Sequence, residues 1–146
     1  MRRTSLITLV IALAIAPVGC TSPVTISPDG PRAVAKSVEA GSPFDLRVGE
    51  EAAIAGTDVR IRFDGVRQDS RCPSNVQCVW AGDAEAAFRI TTPAGSTDLV
   101  LHTNGQPRSA NAGGHLIRLE SVRPHPAEGS SIPPDEYIVT LAVSAP

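Results

Sequence analysis

The sequence is poor in the residue types from which most catalytic and metal centres are built. It contains three cysteines, three histidines and one tryptophan. The histidines stand apart from the cysteines without a recurring spacing, at His102, His115 and His125. No Gly-x-Ser-x-Gly elbow, His-Glu-x-x-His pair or phosphate-cradling glycine loop occurs. These absences disfavour a metal site, a bound cofactor and the common enzyme classes, and they leave an unrecognised enzymatic activity as a minor alternative.

Long hydrophobic runs are absent except at the N-terminus. Residues 6–16 are almost wholly apolar, but a membrane-spanning helix needs about 20 such residues, so the run predicts a signal peptide over residues 1–19. The next residues resemble the lipobox of bacterial lipoproteins at Gly19 and Cys20 and depart from it at Pro17, where that family usually has leucine. The resemblance implies a lipid on Cys20 and an exported protein anchored to the bacterial membrane or envelope. Ordinary cleavage and an uncleaved anchor are the alternatives.

The charge balance gives no support to a nucleic-acid partner. The whole chain has a formal net charge of −2, and loss of Arg2 and Arg3 with the signal peptide brings the mature chain to about −4. Proteins that bind nucleic acids normally carry a basic patch. We therefore expect the partners to be the membrane, through the N-terminal lipid, and an unidentified envelope or extracellular protein.

The segment from the lipidated Cys20 to residue 43 has the composition of a linker. It contains four prolines and no periodic apolar face, so it cannot bury enough surface to offset its chain entropy. It predicts a flexible tether of roughly 25 Å, from about 5–6 Å times the square root of its length. One short apolar patch, residues 33–38, is compatible with a helical turn. Residues 44–146 then suffice for a single domain with one core.

Within this domain, apolar residues recur with a period of two. Val59, Ile61 and Phe63 alternate with polar residues, which is typical of a half-buried strand. Four further runs have strand character: residues 44–48, 97–102, 115–122 and 137–143. Turn residues bound each run. This pattern favours an all-β fold, an antiparallel β-sandwich or a small barrel of about six to eight strands.

The stretch DSRCPSNVQCVWAG, residues 69–82, contains two of the three cysteines. Zinc sites normally have four ligands with closely spaced thiolates, and catalytic redox pairs are usually Cys-x-x-Cys. Five residues separate Cys72 from Cys78, so a structural disulfide in an exported chain is favoured. Closing a ring of this size stabilises the fold by about 2.4 kcal/mol in the chain-entropy model.

The same stretch predicts the entry to a buried strand. Counting in twos from Cys78 leads through Trp80 to Phe88 and Ile90, which would place Trp80 in the core as a structural anchor. A turn or bulge at Gly82 would instead reset the register.

Asp69 and Arg71 have two readings. They are either a recognition pair beside a rigid loop or local structural residues. In the structural reading, Asp69 accepts turn N–H groups, and Arg71 stacks on Trp80 or pairs with Asp69 or Asp83. The structural reading is favoured, because short polar side chains at turns usually satisfy the backbone.

Residues 63–90 resemble a stretch found in a group of small exported or lipid-anchored bacterial domains. In that group an Asp-Ser-Arg-Cys-Pro run precedes a second cysteine and Trp-Ala-Gly. The resemblance implies the fold, the disulfide and export, and no activity. We expect a lipid-anchored, non-enzymatic binding or structural module of the cell envelope. The alternative is an inhibitor or adhesion-type protein that presents the closed loop 72–78 to a protein partner through Pro73, Ser74, Asn75, Val76 and Gln77.

Overall fold

The computed structural model describes residues 35–144. The predicted signal peptide, Cys20 and most of the predicted tether lie outside these residues. A 3₁₀ turn spans Pro134–Glu136. The strands are β1 (Lys36–Val38), β2 (Phe44–Arg47), β3 (Glu51–Ile54), β4 (Arg60–Asp69), β5 (Ala84–Thr92), β6 (Gly95–His102), β7 (Ser109–Ala112), β8 (His115–Arg123) and β9 (Ile138–Ser144).

The strands form two sheets that pack face to face. One sheet has the order β1-β3-β4-β5-β6, and the other has the order β2-β9-β8-β7. The predicted all-β sandwich is confirmed, with nine strands in residues 35–144 rather than six to eight. Strand β1 runs parallel to β3, whereas the other strand pairs are antiparallel.

The core lies between the inner faces of the sheets and follows the period of two. In β4, Ile61 and Phe63 are fully buried while Arg60 and Arg62 are exposed. The ring of Phe63 packs against that of Phe88 in β5, with centroids 5.4 Å apart. Each such buried side chain contributes about 1.5–3 kcal/mol relative to an exposed one.

Three strands were not predicted, and one of them moves the domain boundary. Within the patch at residues 33–38, the described residues Lys36–Val38 form strand β1, paired with β3, instead of the helical turn, and Val38 is buried. Residues 36–38 therefore belong to the sandwich, although the sequence had placed them in the tether of residues 20–43. Strands β3 and β7 have the sequences EAAI and SANA, which contain few strong β formers, so their strand conformation depends on pairing with neighbours.

Candidate functional site

The loop of residues 70–83, which connects β4 to β5, is fixed along both of its legs. The N–H of Ser70 donates to the carbonyl of Asp83 over 2.7 Å, and the N–H of Cys72 donates to the carbonyl of Ala81 over 3.0 Å. The predicted disulfide joins Cys72 to Cys78, with Cα atoms 5.9 Å apart. The loop is therefore closed twice, by its backbone and by a covalent bond.

Gly82 allows the two legs to come this close. Its φ is +64°, in the left-handed region that glycine adopts readily. A Cβ at this position would lie 1.8 Å from the carbonyl oxygen of Ser70. Another residue here would force the legs apart, so the shape of the loop depends on this glycine.

Arg71 attaches the first leg of the loop to the opposite sheet. Its guanidinium donates to both carboxylate oxygens of Asp69 and also to the carbonyls of Val122 and Pro124. The hydroxyl of Tyr137 donates to the same carboxylate over 3.1 Å. The side chains of Arg71 and Asp69 are 7 % and 9 % exposed, so the pair is too deeply buried to serve as a surface recognition pair. The structural reading is correct, in its version where Arg71 pairs with Asp69.

The hydrogen bonds decide the charge state of Asp69. Burial by itself raises the pKa of its carboxyl, but the hydrogen bonds and charge of Arg71, with the hydroxyl of Tyr137, outweigh that effect and hold the pKa below its usual value. Asp69 is therefore ionised at neutral pH, and the pair is a buried salt bridge. For Tyr137, burial and the adjacent carboxylate raise the pKa of the phenol.

Asp83 attaches the second leg of the loop to the turn that follows β6. It accepts hydrogen bonds from the backbone N–H groups of Asn104 and Gly105 and from the hydroxyl of Thr103. Its other oxygen lies 2.6 Å from Nδ1 of His102. Burial raises the pKa of Asp83, and these hydrogen bonds lower it further than burial raises it. The sequence did not predict this cluster, because its partners lie about twenty residues away and share no local pattern with Asp83.

The disulfide ring is fixed on one side by the segment of residues 124–130. The N–H of Ser74 donates to the carbonyl of Pro126 over 2.9 Å, and the side-chain oxygen of Asn75 accepts from the N–H of Glu128 over 2.7 Å. Pro73 and Val76 are half-buried, whereas Ser74, Asn75 and Gln77 are exposed. Residues 73–77 are thus held in place by residues 124–130 and expose polar side chains to solvent.

The prediction that Trp80 is a core anchor is wrong. Trp80 is 81 % exposed, and its neighbour Val79 is 92 % exposed. The alternation that buries Ala84 and Phe88 begins with β5 at Ala84, and the left-handed backbone of Gly82 interrupts it before that point. The parity count from Cys78 therefore does not extend across the loop, and Trp80 points outward beside the disulfide.

The other chemistry-bearing side chains of the described residues lie apart from one another. Within residues 35–144, no group of three or more His, Cys, Asp or Glu side chains could hold a metal ion. The histidines lie apart: His102 contacts Asp83, His115 lies 3.3 Å from the carbonyl of Ser144, and His125 is exposed. No helix in this part of the chain is long and apolar enough to cross a membrane. Comparison with protein-family models, curated proteins and solved structures gave no match.

Proposed function

We propose that the protein is a lipid-anchored, non-enzymatic binding module of the bacterial cell envelope, and that the loop of residues 70–83 is its contact surface. One observation carries this proposal: a loop held by backbone hydrogen bonds and a disulfide displays two adjacent, exposed apolar side chains, Val79 and Trp80. In residues 35–144, Leu116 is the only other large hydrophobic side chain that is exposed, at 38 %. Holding a contact surface rigid before binding lowers the entropy cost of association.

The proposed anchor is a lipid on Cys20, near the N-terminus. The resemblance of residues 17–20 to a lipobox supports a lipid on Cys20, and the apolar run before it supports export. An oxidising compartment outside the cytoplasm also permits the disulfide between Cys72 and Cys78 to persist. The anchor would hold the sandwich at a membrane surface, with an envelope component as its partner.

A photo-crosslinking residue at Gln77, in the protein expressed in its own bacterium, tests the contact surface. Gln77 is exposed and lies in the loop, so we expect an adduct with an envelope component on illumination of intact cells. The matched control is the same residue at Ala94, which is exposed in the β5–β6 hairpin at the opposite end of the sheet. Equal adducts from both positions would contradict the assignment of the loop.

Mass spectrometry of the same preparation tests the anchor separately. We expect the mature protein to begin at Cys20 and to carry the added mass of acyl chains. An unmodified N-terminus at another residue would disprove the lipoprotein part of the proposal. That result would leave the crosslinking result on the loop unaffected.

The second candidate is an inhibitor or adhesion-type protein that inserts the disulfide ring into a protein partner. The exposed polar side chains of Ser74 and Gln77 on a covalently closed ring favour it. With the crosslinking residue at position 77, loss of the crosslinked partner on Ser74→Ala, with retention on Val79→Ser, would support this candidate. The opposite result would place the contact at Val79 and Trp80, outside the ring.

A further inference from the structure

We infer that the tip of the loop, Val79 and Trp80, docks into the lipid interface of the membrane that carries the anchor. This inference rests on the proposed lipid anchor and specifies what the contact surface meets. It gives the domain a second attachment to the bilayer, at a fixed point on the sandwich. The domain would then have a defined orientation on the membrane instead of rotating freely on its tether.

The chemistry of the tip fits a lipid interface. Residues 72–81, which include the tip, contain no charged side chain. Val79 and Trp80 can therefore leave water without the large cost of burying an unpaired charge beside them. The charged residues that flank this stretch have partners within the protein: Arg71 is paired with Asp69, and the carboxylate of Asp83 accepts hydrogen bonds from Thr103, Asn104 and Gly105. Tryptophan is enriched at the headgroup level of membranes, where its ring is in an apolar environment and its N–H remains hydrated.

The topology directs the loop and the anchored end of the chain toward the same side. Strand β1 runs parallel to β3 and therefore opposite to β4. The chain that precedes Lys36 therefore comes from the direction of the end of the sheet from which the loop of residues 70–83 projects. The chain thus runs away from the loop as it enters β1, and Lys36 itself lies near the opposite end of β4, level with Ile61.

The length of chain before β1 is sufficient for both attachments. Lys36 is level with Ala52, which pairs with Ile61 of β4. From Ile61 to Asp69, β4 advances by about 26 Å toward the loop. The fifteen residues between Cys20 and Lys36 can reach at most about 50 Å. The anchor can therefore lie in the bilayer that the tip touches, at a high effective concentration.

Trp80 is the only tryptophan in the chain, so tryptophan fluorescence of the lipidated, full-length mature protein reports on the tip alone. The protein is purified from membranes and reconstituted into phosphatidylcholine vesicles. We expect a blue-shifted emission, quenching by lipids brominated in the acyl chain, and an iodide quenching constant reduced by about twofold or more, as for an interfacial tryptophan. Because the tip is uncharged, these changes should be the same at low and high salt.

Two charge-introducing variants that keep Trp80 serve as a matched pair. Val79→Asp places a carboxylate at the tip and should restore full iodide quenching and the unshifted emission. Ala94→Asp makes the same charge change at the opposite end of the sandwich and should behave as the unsubstituted protein. Both positions are exposed, and circular dichroism of each variant checks that the fold is retained.

The outcomes separate this inference from the proposed function. Protein that floats with the vesicles but emits like Val79→Asp overturns the docking and leaves the anchor intact. Protein that does not float overturns the anchor, and the docking inference falls with it. A shift that requires envelope proteins and is absent with lipid alone shows that the tip binds a protein and also overturns the inference.

Discussion

Arg71 offers the sharpest test of how the loop is fixed. Replacing it with methionine keeps much of the side-chain volume but removes the guanidinium that pairs with Asp69. The carboxylate would then remain buried with the hydroxyl of Tyr137 and the backbone N–H of residue 71 as its donors. The carbonyls of Val122 and Pro124 would lose their side-chain donor as well.

The expected cost follows from this burial. Removing one partner of a buried ion pair typically destabilises a protein by about 3–5 kcal/mol, because the other charge is left uncompensated. Arg60→Met is the control, since Arg60 pairs with Glu51 at the surface, and an exposed pair contributes less than about 1 kcal/mol. Arg71→Met/Asp69→Asn should cost less than the sum of its two single substitutions, because no buried charge remains.

Urea unfolding followed by circular dichroism measures these differences. Tryptophan fluorescence is a poor probe of unfolding here, because Trp80 is already exposed in the native state. A loss below about 1 kcal/mol for Arg71→Met, or one equal to that of Arg60→Met, would refute the reasoning about the buried pair.

The acid sensitivity of the fold follows from the same pair. The folded-state pKa of Asp69 lies below its unfolded value, so its ionised form stabilises the fold above the unfolded pKa of about 3.9. This contribution is lost as the pH falls from about 4 through the folded-state pKa. Asp69→Asn should therefore flatten the decline of stability with acid. An unchanged pH profile would show that Asp69 does not contribute to it.

Three further substitutions test the loop. Cys72→Ser/Cys78→Ser should lower the free energy of unfolding by about 2 kcal/mol; an unchanged denaturation midpoint would contradict a stabilising role for the disulfide. Gly82→Ala should lower the free energy of unfolding by about 3 kcal/mol, and Gly114→Ala by about 1 kcal/mol. Both glycines have positive φ, but of the two only Gly82 would bring an added Cβ against the backbone. Equal losses of stability for the two variants would rule out the steric argument. Trp80→Ala should change stability by less than about 0.5 kcal/mol, and a loss of several kcal/mol would show that Trp80 packs in the core.

The prediction that Trp80 is buried was wrong because it extended the alternation of a strand through a turn. A period of two holds only while the backbone stays extended, and Gly82 leaves the extended region with φ of +64°. The glycine was visible in the sequence as a point where the register could reset, but its conformation was not. From Ala84 onward the alternation correctly gave the buried side of β5.

The buried pair was only partly predictable for a related reason. Asp69 and Arg71 are two residues apart, so their pairing was among the local alternatives that the sequence offered. The carbonyls that complete the arrangement belong to Val122 and Pro124, 51 and 53 residues further along the chain. Only the packing of the two sheets brings these groups together and turns a local ion pair into an attachment between sheets.

The sequence by itself determined the class of fold and its covalent link. The alternation of apolar residues, the turn residues between strands and the spacing of Cys72 and Cys78 are local properties, and they pointed to a disulfide-bonded β-sandwich. The tertiary structure decided that residues 36–38 belong to the sandwich and that Val79 and Trp80 face water. Strand β1 exists because β3 supplies its backbone partners, and Trp80 is exposed because both legs of its loop are held by distant residues.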